Sequence, residues 1–168
     1  MKSITSLYFL TAMLSFGAVT HAGDAEFLKS LDGNWSGTGM VKVRVNSSPM
    51  NVSCKFSSVS TERSLSLEGS CTGFMGFSRA IGAVIKSNGT RYWGSYVGAG
   101  TGTAGLNGKR TGNALELGIH WAKVVNGDRS AKMKIEKIGN NAMRLSTVDT
   151  DPKTGRNVVT SEINLRRG

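Results

Sequence analysis

Apolar and polar residues alternate with a period of two along most of this chain. Val41, Val43 and Val45 alternate with Lys42 and Arg44, and Leu115, Leu117, Ile119 and Trp121 with Glu116, Gly118 and His120. The same pattern runs through Ala131, Met133 and Ile135, through Met143 and Leu145, and through Ile163 and Leu165. Successive strand residues point to opposite faces, so these segments read as strands with one buried and one wet face. Phe27-Leu28-Lys29-Ser30-Leu31 is the only short helix-like stretch in the chain after residue 22. With no helix to carry parallel crossovers, the strands must pair antiparallel. Eight to ten are expected, at about 35–45, 50–59, 65–72, 77–86, 91–98, 103–110, 114–124, 129–137, 142–149 and 157–167. Closing such a sheet removes its exposed edges. The expected fold is therefore all-β, a single antiparallel up-and-down β-barrel with a short N-terminal helical turn. Asn88-Gly89, Asn107-Gly108 and Asn126-Gly127 read as hairpin turns, because both residue types tolerate positive φ.

The first 22 residues, MKSITSLYFLTAMLSFGAVTHA, follow a different logic. Lys2 gives a positive start, Ile4 to Val19 is mostly apolar, and Thr20-His21-Ala22 is a small-x-small cleavage site. The expectation is a secretory signal peptide at 1–22, a barrel domain at 23–168, and a bacterial periplasmic protein. The apolar run is shorter than the roughly 20 residues that span a bilayer, so no membrane span is expected after cleavage.

Export makes a disulfide the default for the chain's 2 cysteines. Cys54 and Cys71 flank a hairpin-like stretch, CKFSSVSTERSLSLEGSC. A turn at Glu62-Arg63 pairs positions whose numbers sum to 125, which sets Cys54 opposite Cys71. Phe56, Leu65 and Leu67 then share their face. The spacing is not the C-x-x-C of a redox-active pair, so the bridge reads as structural.

In a closed meander with an even number of strands the first strand pairs with the last. Trp35 opens the first strand with the parity of Val41, and Arg167 ends the last with the parity of Leu165. A guanidinium over an indole is a favourable stack. Gly33-Asn34-Trp35, preceded by a helical turn, resembles the G-x-W entry of lipocalin-like proteins, as does a late arginine, Arg166 or Arg167, able to cover that tryptophan. The string Leu31-Asp32-Gly33-Asn34-Trp35-Ser36-Gly37-Thr38-Gly39 is similar to the opening of nitrobindin-like barrels. The resemblance to these calycin-type barrels implies a small barrel holding an apolar or haem ligand. The C-terminal helix of typical lipocalins is missing.

Candidate functional residues follow from composition and position. Seven glycines fall between Gly94 and Gly112, and glycine in strands marks bends or close approach of a ligand or another backbone. Missing side chains there would leave room inside a barrel. Gly100-Thr101-Gly102-Thr103-Ala104-Gly105 spells G-x-G-x-x-G, but no helix follows, so a dinucleotide site is not expected. The expected ligand-binding set is Trp35 and Arg167 at one end, with Tyr92, Trp93, Tyr96, Gly98, Gly100 and Gly102 shaping the other. His120 is the only histidine beyond residue 22 and would be a sole axial haem ligand, although its parity points it outward. No other cofactor and no metal site are expected, because one histidine cannot build a multi-histidine zinc centre. Asp149-Thr150-Asp151 opens like a calcium loop, but Lys153 follows where a ligand is needed, and a solvated hairpin loop is the better reading.

No nucleophile, base and orienting group stand together, so no enzyme is expected. The preferred function is non-enzymatic binding of a small apolar or amphipathic ligand in the barrel. Against 11 Asp and Glu stand 21 Lys and Arg, a net charge of +10. Lys42, Arg44, Lys132, Lys134, Lys137, Arg144 and Arg166 fall opposite the apolar faces, which makes the outer wall positive. An alternative function is thus an envelope interaction protein holding an anionic lipid, polysaccharide or protein partner. No nucleic-acid partner is expected.

Overall fold

The computed structural model describes residues 20–168; of Thr20, His21, Ala22 and Phe74 only the backbone is described. The expected signal peptide falls mostly on residues 1–19, outside the described residues. A helix, α1 (Thr20–Lys29), precedes ten strands: β1 (Gly33–Val41), β2 (Met50–Thr61), β3 (Ser64–Thr72), β4 (Ser78–Ser87), β5 (Tyr92–Val97), β6 (Ala104–Thr111), β7 (Ala114–Val125), β8 (Asp128–Ile138), β9 (Ala142–Thr150) and β10 (Asn157–Arg167). Each pairs antiparallel with its sequence neighbours, and β1 pairs with β10, so the sheet closes into a ten-stranded barrel.

The register confirms the sequence arithmetic where turns are tight. Thr61 pairs with Ser64 and Cys54 with Cys71, and the two cysteines are bonded. Phe56, Leu65 and Leu67 are buried beside them. Asn126 and Gly127 both take positive φ, 54° and 108°, in the β7–β8 turn. Trp35 pairs with Arg167.

Three expectations need correction. Asn107-Gly108 is not a turn; both lie inside β6, and the hairpin turns instead at Gly112-Asn113. A Cβ on Gly108 would overlap the Glu116 carbonyl, so this glycine serves close approach of strands, not chain reversal. Gly94 stands likewise against the Val84 carbonyl. At both positions neighbouring backbone stands where a side chain would begin, and no space is opened. Finally, β1 ends at Val41 and not near residue 45, because Lys42 makes the last backbone bond to β10, at Thr160. Val43 is left exposed, and the Val45 amide donates to Asn126 Oδ1.

The barrel has two unlike ends. At one lie the turns β2–β3, β4–β5, β6–β7 and β8–β9, together with α1. Phe27, Leu28 and Leu31 of the N-terminal segment join the buried cluster with Trp35, Phe56, Tyr92, Leu115, Met143 and Leu165. Burial of such large side chains stabilises by about 1.5–3 kcal/mol each. At the other end lie the loops 42–49, 73–77, 98–103 and 151–156 and the tight β7–β8 turn.

Candidate functional site

The α1 end is a plug. Trp35 is 2% exposed, and its Nε1 donates to the Leu31 carbonyl and to Ser58 Oγ, both at 3.0 Å. Ser58 also donates to the Leu31 carbonyl. The Arg167 guanidinium lies 4.4 Å from the Trp35 ring centroid and donates to the carbonyls of Ser30, at 2.9 Å, and Asp32. Arg110 covers Phe27 at 4.5 Å, donates to the Gly23 carbonyl at 2.7 Å and pairs with Asp24 at 3.1 Å. Tyr92 is buried here too. Burial holds its phenol above the ordinary value, the Asp24 carboxylate adds to that, and Ser87 opposes it.

This placement revises the expected site. Tyr92 starts β5 at the plugged end, so it belongs with Trp35 and Arg167 and does not shape the opposite mouth. Trp93, next in sequence, faces outward and is 44% exposed. Only Tyr96, Gly98, Gly100 and Gly102 of the second group sit at the loop end. The outward turn of Trp93 follows from alternation along β5, and the place of Tyr92 at the plug from the direction in which β5 runs.

At the loop end the inward-facing side chains are less buried. Val41, Ile81, Tyr96, Ala131 and Leu145 pack against the core yet stay partly exposed, and Thr147 and Ser161 are likewise only half-buried. Several inward positions there carry small residues: Ala83, Ala104, Ala131 and Ser161. Several inward side chains are thus less buried toward the loops than at the plug. Tyr96 and Trp121 meet with centroids 6.0 Å apart at 57°. Trp121 Nε1 and Thr101 Oγ1 are buried without a partner, so each offers an unused hydrogen-bonding atom. Burial raises the Tyr96 pKa, and the nearby Arg79 charge opposes the shift. Arg79 Nη1 reaches the Gly98 carbonyl at 3.4 Å and stands at the mouth.

Arg79, Trp121, Ala131, Leu145 and Thr147 were not expected as site residues. Parity with Ile81 and Ala83 could have placed Arg79 on the inner face; Trp121 was legible as core, and its orphaned donor was not.

His120 is exposed on the outer wall between Gly105 and Ser130, so it gives the lumen no axial ligand. Among the described residues no cluster of three or more His, Cys, Asp or Glu stands where it could hold a metal. Asp151 accepts from the Lys153 amide and Thr154 Oγ1, which closes its loop. Asp149 is instead buried, accepting from Asn126 Nδ2 at 2.6 Å.

The outer wall carries a groove of about 1350 Å³ across β5 to β9. Its rows run Trp93, Asn107, Gly118, Lys132 and Val148. Arg91, Lys109 and Lys134 line it, with Glu116.

No family model matches the chain, and no curated protein matches it. Among solved structures it is similar to the crystal structure of Rv2717c from M. tuberculosis, at 14% identity and a TM-score of 0.67. The likeness covers 86% of this chain and 97% of that one, and at this identity it speaks for the barrel fold alone.

Proposed function

We propose that this closed barrel binds a small apolar or amphipathic molecule in its loop-end lumen, without catalysing a reaction on it. The gradient in burial carries the reading. Large side chains and α1 seal one end, while Val41, Ile81, Tyr96, Ala131 and Leu145 leave apolar surface accessible toward the other. A lumen lined mostly by apolar groups with a few convergent polar atoms is the usual form of a ligand site. Trp121 Nε1 supplies one such atom, a donor that a bound acceptor would satisfy. The calycin-type resemblance of the Leu31–Gly39 string supports the same ligand class.

Native mass spectrometry of protein taken from its own cell envelope tests this, together with titration of an apolar fluorescent probe. A bound mass and saturable uptake are expected. Ala131→Trp, which fills the lumen, should abolish uptake while the barrel stays folded. An empty barrel that takes up no probe would refute the reading.

Export belongs to the same proposal. The Cys54–Cys71 bridge suits an oxidising compartment. N-terminal sequencing of the native protein should begin at Gly23; a start at Met1 would sink this part.

The groove supports a second reading, an anionic partner on the outer wall. Trp93 offers a stacking face beside Arg91, Lys109, Lys132 and Lys134. Pull-down from envelope extracts should then weaken steeply with salt and with Trp93→Ala.

A further inference from the structure

We infer that the loop end of the barrel docks on an anionic bilayer surface, with the β3–β4 tip entering the headgroup layer. The inference rests on the proposed lumen site only in placing the mouth against its source of apolar ligand; the docking itself stands on different residues. Of the eleven exposed large apolar side chains among the described residues, seven lie at this end: Val43, Met50, Met75, Phe77, Val97, Val124 and Val159. Met75 and Phe77 are each 78% exposed.

The tip that carries them is shaped by its own backbone. Gly73 donates to the Phe77 carbonyl at 2.9 Å, Gly76 donates to the Gly73 carbonyl at 3.3 Å, and Met75 sits at φ 58°. A methionine in the left-handed region is held against its own preference, and such strain clusters at functional positions. Apolar side chains gathered at one end of a molecule mark a contact site with a membrane or a partner.

Charge selects between these. Lys42, Arg44, Arg79, Lys123, Arg129 and Arg156 surround the same end. The acidic groups there are Asp128 and Asp151, besides the buried Asp149. A basic collar behind an apolar tip is the arrangement that holds a protein to a negative lipid surface: the collar is drawn to the headgroups and the tip is buried between them. It also sets the mouth, with Tyr96 and Trp121 behind it, facing the lipid.

Sedimentation with vesicles of phosphatidylglycerol and phosphatidylethanolamine, compared with pure phosphatidylcholine, tests the docking. Wild type should bind the anionic vesicles at least tenfold better and be released by salt. The paired change Met75→Asp and Phe77→Asp should reduce binding at least tenfold, with the melting temperature and solution uptake of the apolar probe unchanged. Arg44→Glu with Lys123→Glu, away from the tip, should weaken binding as well. Ala131→Trp should lose probe uptake and still sediment, which separates failure of the lumen reading from failure of this one. No sedimentation of wild type, equal binding to neutral vesicles, or unchanged binding by the tip variant would each overturn the inference. So would capture of a protein partner at this face without vesicle binding.

Discussion

Replacing Arg167 by alanine is expected to loosen the barrel where its first and last strands meet. The guanidinium makes three separable interactions: the stack 4.4 Å over Trp35 and hydrogen bonds to the Ser30 and Asp32 carbonyls. Each hydrogen bond contributes about 1 kcal/mol net, and a stack at an exposed site about 0.5–1 kcal/mol. Arg167 is exposed, so solvent screening pulls the total toward the low end, about 2 kcal/mol. For a domain of this size that lowers Tm by about 4–8 °C. Arg167→Lys keeps a cation near the indole but loses the fork that reaches two carbonyls, and should cost about half as much. Urea denaturation and thermal melting, followed by tryptophan fluorescence, read both variants. A cycle with Trp35→Phe should return a coupling of about 0.5–1 kcal/mol. If Arg167→Ala lies within about 0.5 kcal/mol of wild type, the pair does not hold the closure and the account of the plug is wrong.

Removing the disulfide by Cys54→Ala with Cys71→Ala should cost about 3 kcal/mol, from the 17-residue separation it spans, measured by denaturation with and without reductant. Gly108→Ala should destabilise by about 1–3 kcal/mol because its Cβ would meet the Glu116 carbonyl, whereas Gly105→Ala, whose Cβ meets only the His120 Cβ at 4.0 Å, should be tolerated. Asp32 and Asp151 titrate below the ordinary value of 3.8. For Asp32, burial opposes the shift, and Lys29 and Ser60 outweigh it; for Asp151, the Lys153 amide and Thr154 lower it. A depressed folded pKa contributes stability above the unfolded pKa that is lost as pH falls through the folded one, so acid unfolding should flatten in Asp32→Asn with Asp151→Asn, read by melts below about pH 4.

What the sequence made legible depended on how local the determining physics was. The Cys54–Cys71 pairing follows from a two-residue turn and strict alternation, with no freedom left between them. Closure was legible because Trp35 and Arg167 stand at the chain's two strand ends. Asn107-Gly108 misled because turn chemistry and close strand approach both select glycine, and only the position of Glu116 in the neighbouring strand separates them. Val43 and Val45 continue an alternation past the point where β1 leaves β10, although β10 itself runs on to Asn157, and periodicity carries no information about where pairing stops. The split of Tyr92, Trp93 and Tyr96 into plug, outer wall and lumen needed the direction of β5 as well as its parity. Arg79 and Trp121 come together only through assembly, since they are brought to one mouth by strands distant in sequence.

The two ends differ in how they are bonded, and that difference bears on exchange of a ligand. β1 pairs with β10 from Trp35 and Arg167 at the plug to Val41 and Ser161 toward the loops, and the plug adds Trp35 under Arg167, α1 held by Arg110, and Leu31 held by Ser58. The opposite end consists of loops joining strands already paired to their neighbours. Displacing loop 98–103, which Arg79 touches through a single long hydrogen bond to Gly98, breaks no rung of the ladder. Opening at the plug would instead expose Trp35, Phe27, Leu28 and Leu31 and unseat the first and last strands together. Local openings draw on the weakest contacts of a structure. A molecule entering this barrel therefore has a route through the loops that leaves the closure intact, and hydrogen exchange should show residues 98–103 opening at far lower free energy than the amides of β1 and β10.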